Sequence, residues 1–493
     1  MFDLVKVIFM VVEIKKIDRF HYEIPKEGNM RVPGMVIGNE EIISQLKSDS
    51  ESNPQWNPVN QIKNMASLPG VVNYSFALAD VHVGYGAVIG SVNAFDMKEG
   101  VITFAGVGYD INCGVHSLVA PVSAKQVEAK KKELAETLFK DIPAGIGSEG
   151  QLKLNSGEMD EVLEKGAAFA VARGFGTKND LKFIEEEGCI SGANSENVSA
   201  KAKERAYKQI GTLGSGNHYC EVQEVEKVFD EEAAKAYGLA KGGVAISIHC
   251  GSRALGHQIG GDYIPLLEAA AKKYNISLPD REMVCAPIAS EEGQKYFSAV
   301  KAGCNAAFAN RQVIGVLVKR AFAKVFGIDE DEVKTLYDVG HNTAKEETHN
   351  VGQKRTKLLV QRKGSTRGFG PGREEVPTKY RKVGQPVLVG GTMGTHSYIL
   401  KGTNKAMEET FGSTIHGAGR LMSRTRALKE RTGQEILADL AAKGIIVKSR
   451  SIKGIAEEAP GAYKDIEGVV GIMQGAGISE RVARLKPIVC VKG

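Results

Sequence analysis

"GGVAISIHCG", residues 242–251, is an apolar, β-branched run closed at both ends by glycine, with a histidine and a cysteine at its exit. Such a run reads as a buried strand that ends in a loop. Three further stretches read the same way: "QPVLVGGTMG" (385–394), "GIIVKS" (444–449) and "KPIVCVKG" (486–493). Between them, helical periodicity and capping residues predict helices over 123–140, opened by Ser123, and over 156–173, 196–209, 290–326 and 423–443. Strands and helices do not follow one another as a regular βαβ repeat, so the expected class is α+β, with β-sheets surrounded by helices.

No tract rich in Pro, Ser or acid separates well-formed halves of the 493-residue chain. One large domain over 1–493 is expected, with 1–58 as an N-terminal strand and loop segment packed on it. Hydrophobic residues make up 42% and charged residues 25%, a balance that fits a globular protein and excludes a disordered or fibrous one. The opening "MFDLVKVIFMVVEI" is too short to span a bilayer and is interrupted by Lys6; it reads as a buried strand. The seven cysteines are scattered and form no CxxC pair, which excludes a zinc ribbon and points to a reducing, cytoplasmic setting.

The net charge of +5 is unevenly placed. In "QRKGSTRGFGPGREEVPTKYRK" (361–382), seven basic residues face two acids, which leaves as much net charge as the whole chain carries. Two readings stand for this stretch: a flexible loop that binds a polyanion, or a solvated loop with no partner. The chain has neither a GxxxxGK[ST] loop nor a strand-anchored GxGxxG fingerprint, and no KxDG lysine motif, because Asp-Gly and Gly-Lys do not occur.

Four of the ten histidines, His218, His249, His341 and His416, end apolar or glycine-rich segments, where an imidazole can point into a cleft. In "GVGYDINCGV" (106–115), Asp110 and Cys113 lie three apart on a glycine-rich loop. With three of the histidines they form a mixed oxygen, sulfur and nitrogen donor set that suits Mn²⁺, Zn²⁺ and Co²⁺ alike. "HGAGRLMSRTR" (416–426) places two glycines and Arg420, Arg424 and Arg426 at the start of an expected helix, an arrangement that favours an anion.

Eight segments together resemble, in order, those of the RtcB family of RNA ligases: "DVHVGYG" (80–86), "GVGYDINCGV", "GTLGSGNHYCEVQ" (211–223), "HCGSRALGHQ" (249–258), "HN" (341–342), "GGTMGTHSY" (390–398), "HGAGR" and "EEAPGAYKDIEGVV" (457–470). The resemblance implies a single domain with a central metal and nucleotide cleft. It also implies a GTP- and Mn²⁺-dependent ligase that joins RNA ending in a 2′,3′-cyclic phosphate or 3′-phosphate to RNA with a 5′-hydroxyl, as in tRNA splicing and RNA repair. On this sequence it places two Mn²⁺ ions on a bridging Cys113, one completed by Asp110 and His218 and the other by His249 and His341. His416 becomes the nucleophile that accepts GMP, with Gly417, Ala418 and Gly419 around the phosphate.

The same resemblance puts the nucleotide against Asn217, His218, Tyr219, Cys220, Glu221, His341, Asn342, the turn Gly390, Gly391, Thr392 and Met393, and Ser397 and Lys492, with Tyr463 stacked on the base. RNA is expected on Arg253 and on Arg362, Lys363, Arg367 and Arg373 of the basic stretch. A monomer without membrane contact, and an archease-type activator, belong to the same picture. A carboxylate at Glu221 can accept two hydrogen bonds from the N1 and N2 edge of guanine, which adenine cannot offer. His116 and His396 depart from the family pattern, and two readings stand for His396: an altered phosphate contact or an extra weak ligand. Two other classes could share these features: a dinuclear metallophosphodiesterase and a non-catalytic RNA-binding subunit.

Overall fold

The computed structural model describes residues 13–53, 56–145 and 147–493. Most of the expected opening strand, residues 1–12, lies outside the described residues. Two large sheets dominate. The first runs in the order Lys15–Lys16, His21–Ile24, Gly34–Ile37, Ser75–His82, Ile89–Asp96, Lys354–Lys363, Asn342–Val351. The second runs Lys334–Gly340, Gly114–Ser123, Gly243–Cys250, Tyr219–Val228, Ser479–Lys492, Ser397–Gly402, Pro386–Val389, with Ile446–Ser449 added in parallel on Ser479–Lys492. The α+β reading therefore stands. Residues before 58 supply edge strands of the first sheet and also a helix, Glu40–Ser52, capped by Asn39, which a strand-and-loop description leaves out.

The helix Glu291–Phe326 crosses the core. It starts where the Ser290 side chain accepts the Gly293 N–H and stops at Gly327 in the left-handed conformation. It is buried on almost every side from Tyr296 to Val318, and its polar core residues Asn305, Asn310 and Arg311 are fully enclosed. A helix with no solvent face must satisfy such groups inside the protein. Here they donate to backbone carbonyls of neighbouring segments, at Leu163, Thr212 and Asn112.

The expected helix at 123–140 is Ala124–Asp141, opened by a capping box between Ser123 and Gln126. Three other expectations change in detail. The 156–173 helix breaks at Gly166, whose φ of 55° turns the chain into a second short helix. Only Ala200–Ala206 of 196–209 is α-helical, and 423–443 is two helices, Arg424–Glu430 and Gly433–Ala442. The terminal strand is far longer than 486–493, because residues from Ser479 onward pair with Tyr219–Val228 and Ser397–Gly402. The twenty-residue helix Ala254–Lys273 was not anticipated: Gly256, Gly260, Gly261 and Pro265 disguise its periodicity.

Candidate active site

The second sheet brings the candidate residues together through its register. Gly114 pairs with Cys250, Val115 with His249, Tyr219 with His249, Gly340 with Gly114, and Lys492 with Tyr219. In an antiparallel sheet, starts and ends of neighbouring strands share one edge. Cys113, His218, His249, His341 and Lys492 therefore meet at one edge although nearly four hundred residues of chain separate the first from the last. Asp110 joins them through a tight turn in which the Cys113 N–H donates to the Asp110 carbonyl, with Gly108 and Asn112 both in the left-handed region. Gly251 is required beside it, since a Cβ there would sit 2.3 Å from Asp110 Oδ1.

Two donor groups result, Asp110–Cys113–His218 and Cys113–His249–His341, and they share the thiol. Cys113 Sγ lies 3.3 Å from His218 Nε2 and 3.2 Å from His249 Nε2. His218 Nε2 is 2.9 Å from Asp110 Oδ2, and the Nε2 atoms of His249 and His341 are 3.2 Å apart. The Nδ1 of His249 faces the Asn217 carbonyl at 3.2 Å, so its N–H belongs there and its Nε2 carries the lone pair. Converging lone pairs of this kind fit a pair of cations.

The electrostatics agree. Burial holds His249 and His341 well below the ordinary imidazole value, which keeps them neutral. Burial and the Asp110 charge push the Cys113 thiol up to about 12, so a thiolate there needs a metal to hold it. Burial alone would raise Asp110, but the His218 charge and hydrogen bond hold it down at about 2.

Next to these groups lies a cavity of about 370 Å³. It is lined by Asn217, Tyr219, Glu221, Asn342, the turn 390–393, His416 with 417–419, Tyr463 and Lys492, as well as Asp110, Cys113, His249 and His341. Burial pushes the Glu221 carboxyl up to about 7, against the Gln223 amide that donates to it at 2.6 Å and the charge of Lys492. His416 enters from the first sheet's side: its Nδ1 is 2.7 Å from Oδ2 of the fully buried Asp80, and its ring centroid is 4.7 Å from that of His341.

Several expected contacts do not hold. Strand alternation turns the Cys220 side chain away from Tyr219 and Glu221 into the core beside Val222 and Ile248, so its thiol cannot touch a nucleotide. Ser397 stands behind the 390–393 turn, where its Oγ accepts the Gly391 N–H. His396 pairs with Glu226 at 3.2 Å and does not line the cavity, and His116 is buried against Asp338.

The basic stretch is not a loop throughout, since it begins inside the strand Lys354–Lys363. Arg362 is fully buried on Glu347, Arg367 is buried on Glu185 and Glu186, and the Lys363 ammonium donates to the carbonyls of Tyr85 and Ala87. None of the three can reach an RNA backbone. Arg373 pairs with Glu375 nearer the surface. Arg253 is half-buried, donating to Thr212 Oγ1.

The helix Arg424–Glu430 starts five residues past Gly419, so 417–419 is not a helix N-terminus. Arg420 and Arg424 do line the cavity, held by Glu458, while Arg426 pairs with Glu430 outside it.

Asp80 and Glu458 lie within the segments 80–86 and 457–470, and the sequence assigns neither a role. Asp80 is an acid inside the apolar strand "SFALADVH", a signal that it is held there by a partner. Glu458 carries no such mark; its three partners, Arg420, Arg424 and the Tyr463 hydroxyl, come from elsewhere in the chain or from beyond a turn.

The sequence model of the family described as "tRNA-splicing ligase RtcB" matches residues 61–493. The chain is similar to a protein named tRNA-splicing ligase RtcB from Thermococcus kodakarensis, 48% identical over 98% of this chain and 99% of that protein. Proteins of the same name from Archaeoglobus fulgidus and Methanococcus maripaludis are each 49% identical over 97% of this chain and 99% of their own length.

Proposed function

Because the chain belongs to the RtcB family of RNA ligases, we propose that it joins a 2′,3′-cyclic phosphate or 3′-phosphate RNA end to a 5′-hydroxyl end, with GMP carried on His416. The observation that carries this reading is the meeting of a shared-thiol donor set, a cavity with a buried carboxylate at Glu221, and a histidine whose Nδ1 is already bound to Asp80. With Nδ1–H donated to Asp80, the lone pair of His416 is on Nε2, the nucleophilic nitrogen.

In this reading Asp110, Cys113 and His218 hold one Mn²⁺ and Cys113, His249 and His341 the other; bound there, the ions neutralise phosphate oxygens. Glu221 accepts from the guanine N1 and N2 groups, Tyr463 stacks on the base with Arg420 4.9 Å from its ring centre, and Lys492 lies between Glu221 and Glu458 in the field of both. The backbone of 417–419 and the 390–393 turn face the phosphates. His416 Nε2 bonds to the α-phosphorus of GTP as the bond to pyrophosphate breaks. The RNA 3′-phosphate, formed by water when the end is cyclic, then takes GMP from His416. The 5′-hydroxyl finally displaces GMP to make the phosphodiester.

Residues 1–493 act as one ligase domain in this scheme, and the enzyme works as a cytoplasmic monomer on RNA such as tRNA halves, with an archease-type activator as a partner. The reducing compartment is supported by seven cysteines, none of them paired. Among the described residues no helix is long and apolar enough to cross a membrane.

The test is incubation with α-labelled GTP and Mn²⁺ followed by denaturing electrophoresis. The expected result is a label that is lost in mild acid, survives alkali and is absent from His416→Ala. A dinuclear phosphodiesterase or a non-catalytic RNA-binding subunit would take no label.

A further inference from the structure

Behind the metal ligands, the central helix presents Arg311, which has no solvent exposure. Its Nη1 donates to the Asn112 carbonyl at 2.6 Å and to the Cys250 carbonyl at 2.9 Å. Its Nε and Nη2 form a two-pronged pair with Asp338, at 3.0 Å and 2.7 Å. Asp338 Oδ2 also meets His116 Nδ1 at 3.0 Å, so the acid is held from both sides within the sheet, and both side chains are buried. No charged group in this triad faces the cavity or touches a metal ligand's side chain.

What the guanidinium grips is informative. Asn112 immediately precedes Cys113, and its φ of 51° is a strained conformation that needs outside support. Cys250 immediately follows His249. Asp338 sits on the strand Lys334–Gly340, which delivers His341 at its end, and the His341 N–H in turn donates to the Cys113 carbonyl at 2.7 Å. Arg311 thus holds the backbone next to Cys113 and next to His249, and through the Asp338 side chain the strand that ends at His341. It makes no hydrogen bond to the segment that carries His218, and it meets the turn from Asp110 to Cys113 only at the Asn112 carbonyl, next to the shared thiol.

We propose that Arg311 is the positioning residue chiefly for one of the two metal positions, that of Cys113, His249 and His341, and bears on the Asp110–Cys113–His218 position only through the turn that carries the shared Cys113. The proposal rests on the two-metal reading above. Planar, fixed donors are what allow one side chain to set two carbonyls and a carboxylate at once, and a lysine ammonium cannot reproduce that fork. Residues that orient metal ligands typically change affinity by about 10- to 100-fold when replaced.

The test uses the full-length, nucleotide-free protein titrated with Co²⁺, read by thiolate charge-transfer and d–d absorption and by calorimetry. Wild type should take two equivalents. Arg311→Lys should keep one equivalent within about threefold of wild type and lose affinity for the other by about 10- to 100-fold. Should that variant fail to fold, Arg311→Met combined with Asp338→Leu removes both charges together, which buried pairs generally tolerate, while still releasing the two carbonyls. The same one-position loss is expected. Equal weakening of both positions, the signature of a merely structural role, or no weakening of either, overturns the inference. A wild-type protein that binds a single equivalent overturns the two-metal reading and this inference with it.

Discussion

Asp80 Oδ2 accepts from both the backbone N–H of His416, at 3.0 Å, and the Nδ1 of its ring, at 2.7 Å. One oxygen therefore fixes where the residue sits and how its ring is turned. The acid is held by its own surroundings: the Lys464 ammonium donates to the carbonyls of Ala79 and Val81 on either side of it.

Asp80→Asn should keep the shape of this contact but lose its preference for the Nδ1–H tautomer. GMP transfer to His416 is expected to fall by on the order of 10²- to 10⁴-fold, with metal content unchanged. Acid-labile GMP label and metal analysis on the same sample check it; undiminished labelling would show that the tautomer is set elsewhere.

Cys113 is common to both donor groups. Cys113→Ala should therefore strip both cations and not one, and guanylylation with them. Elemental analysis after dialysis decides the point, and one retained equivalent would mean that the thiol serves a single ion.

Glu221 supplies a pH dependence. Burial raises its pKa from the ordinary carboxyl range to about 7. Guanine donates to the carboxylate and so favours the charged form. Guanine nucleotide affinity should accordingly rise as pH increases through about 7 and level off above it. Glu221→Gln should flatten that profile, and Glu221→Ala should lose on the order of 2–4 kcal/mol of the preference for GTP over ATP. Calorimetry with GMP across pH 6 to 8.5 avoids titration of the triphosphate; a wild-type profile as flat as the variant's would remove Glu221 from base reading.

The sign is opposite for stability. A raised carboxyl destabilises the fold once pH exceeds its unfolded value, so Glu221→Gln should melt higher than wild type at pH 8, by less than about 3 kcal/mol, and alike near pH 4.

Arg362 was expected on RNA and is buried on Glu347, with Nη1 at 2.5 Å and Nη2 at 2.9 Å from the carboxylate. Arg362→Ala leaves that buried carboxylate with only the His349 imidazole, 2.8 Å from Oε2, as a partner. A stability loss of about 3–5 kcal/mol is expected, with RNA affinity of the folded fraction unchanged. Thermal melts alongside RNA titration separate the two, and weakened RNA binding at full stability would restore the surface reading.

The local chemistry of this protein is written in its sequence. Glycine-bounded apolar runs such as 242–251 announce strands with functional exits, and Ser123 and Ser290 announce helix starts, because strand burial and capping depend on near neighbours. The eight recognisable segments likewise contain both donor groups, His416 and most of the residues that line the cavity. What the sequence could not supply was partnership across distance. Arg362, Lys363 and Arg367 look like an exposed basic run until the folded chain supplies Glu347, the Tyr85 carbonyl and Glu185. Asp80 gains its meaning only beside His416, 336 residues away, and Arg311 only beneath Asn112 and Cys250. Charge and hydrogen bonding act through space over a few ångströms, so whether an ionic group meets solvent, a counter-ion or a ligand is decided by sheet register and helix packing, which no local pattern of residues encodes.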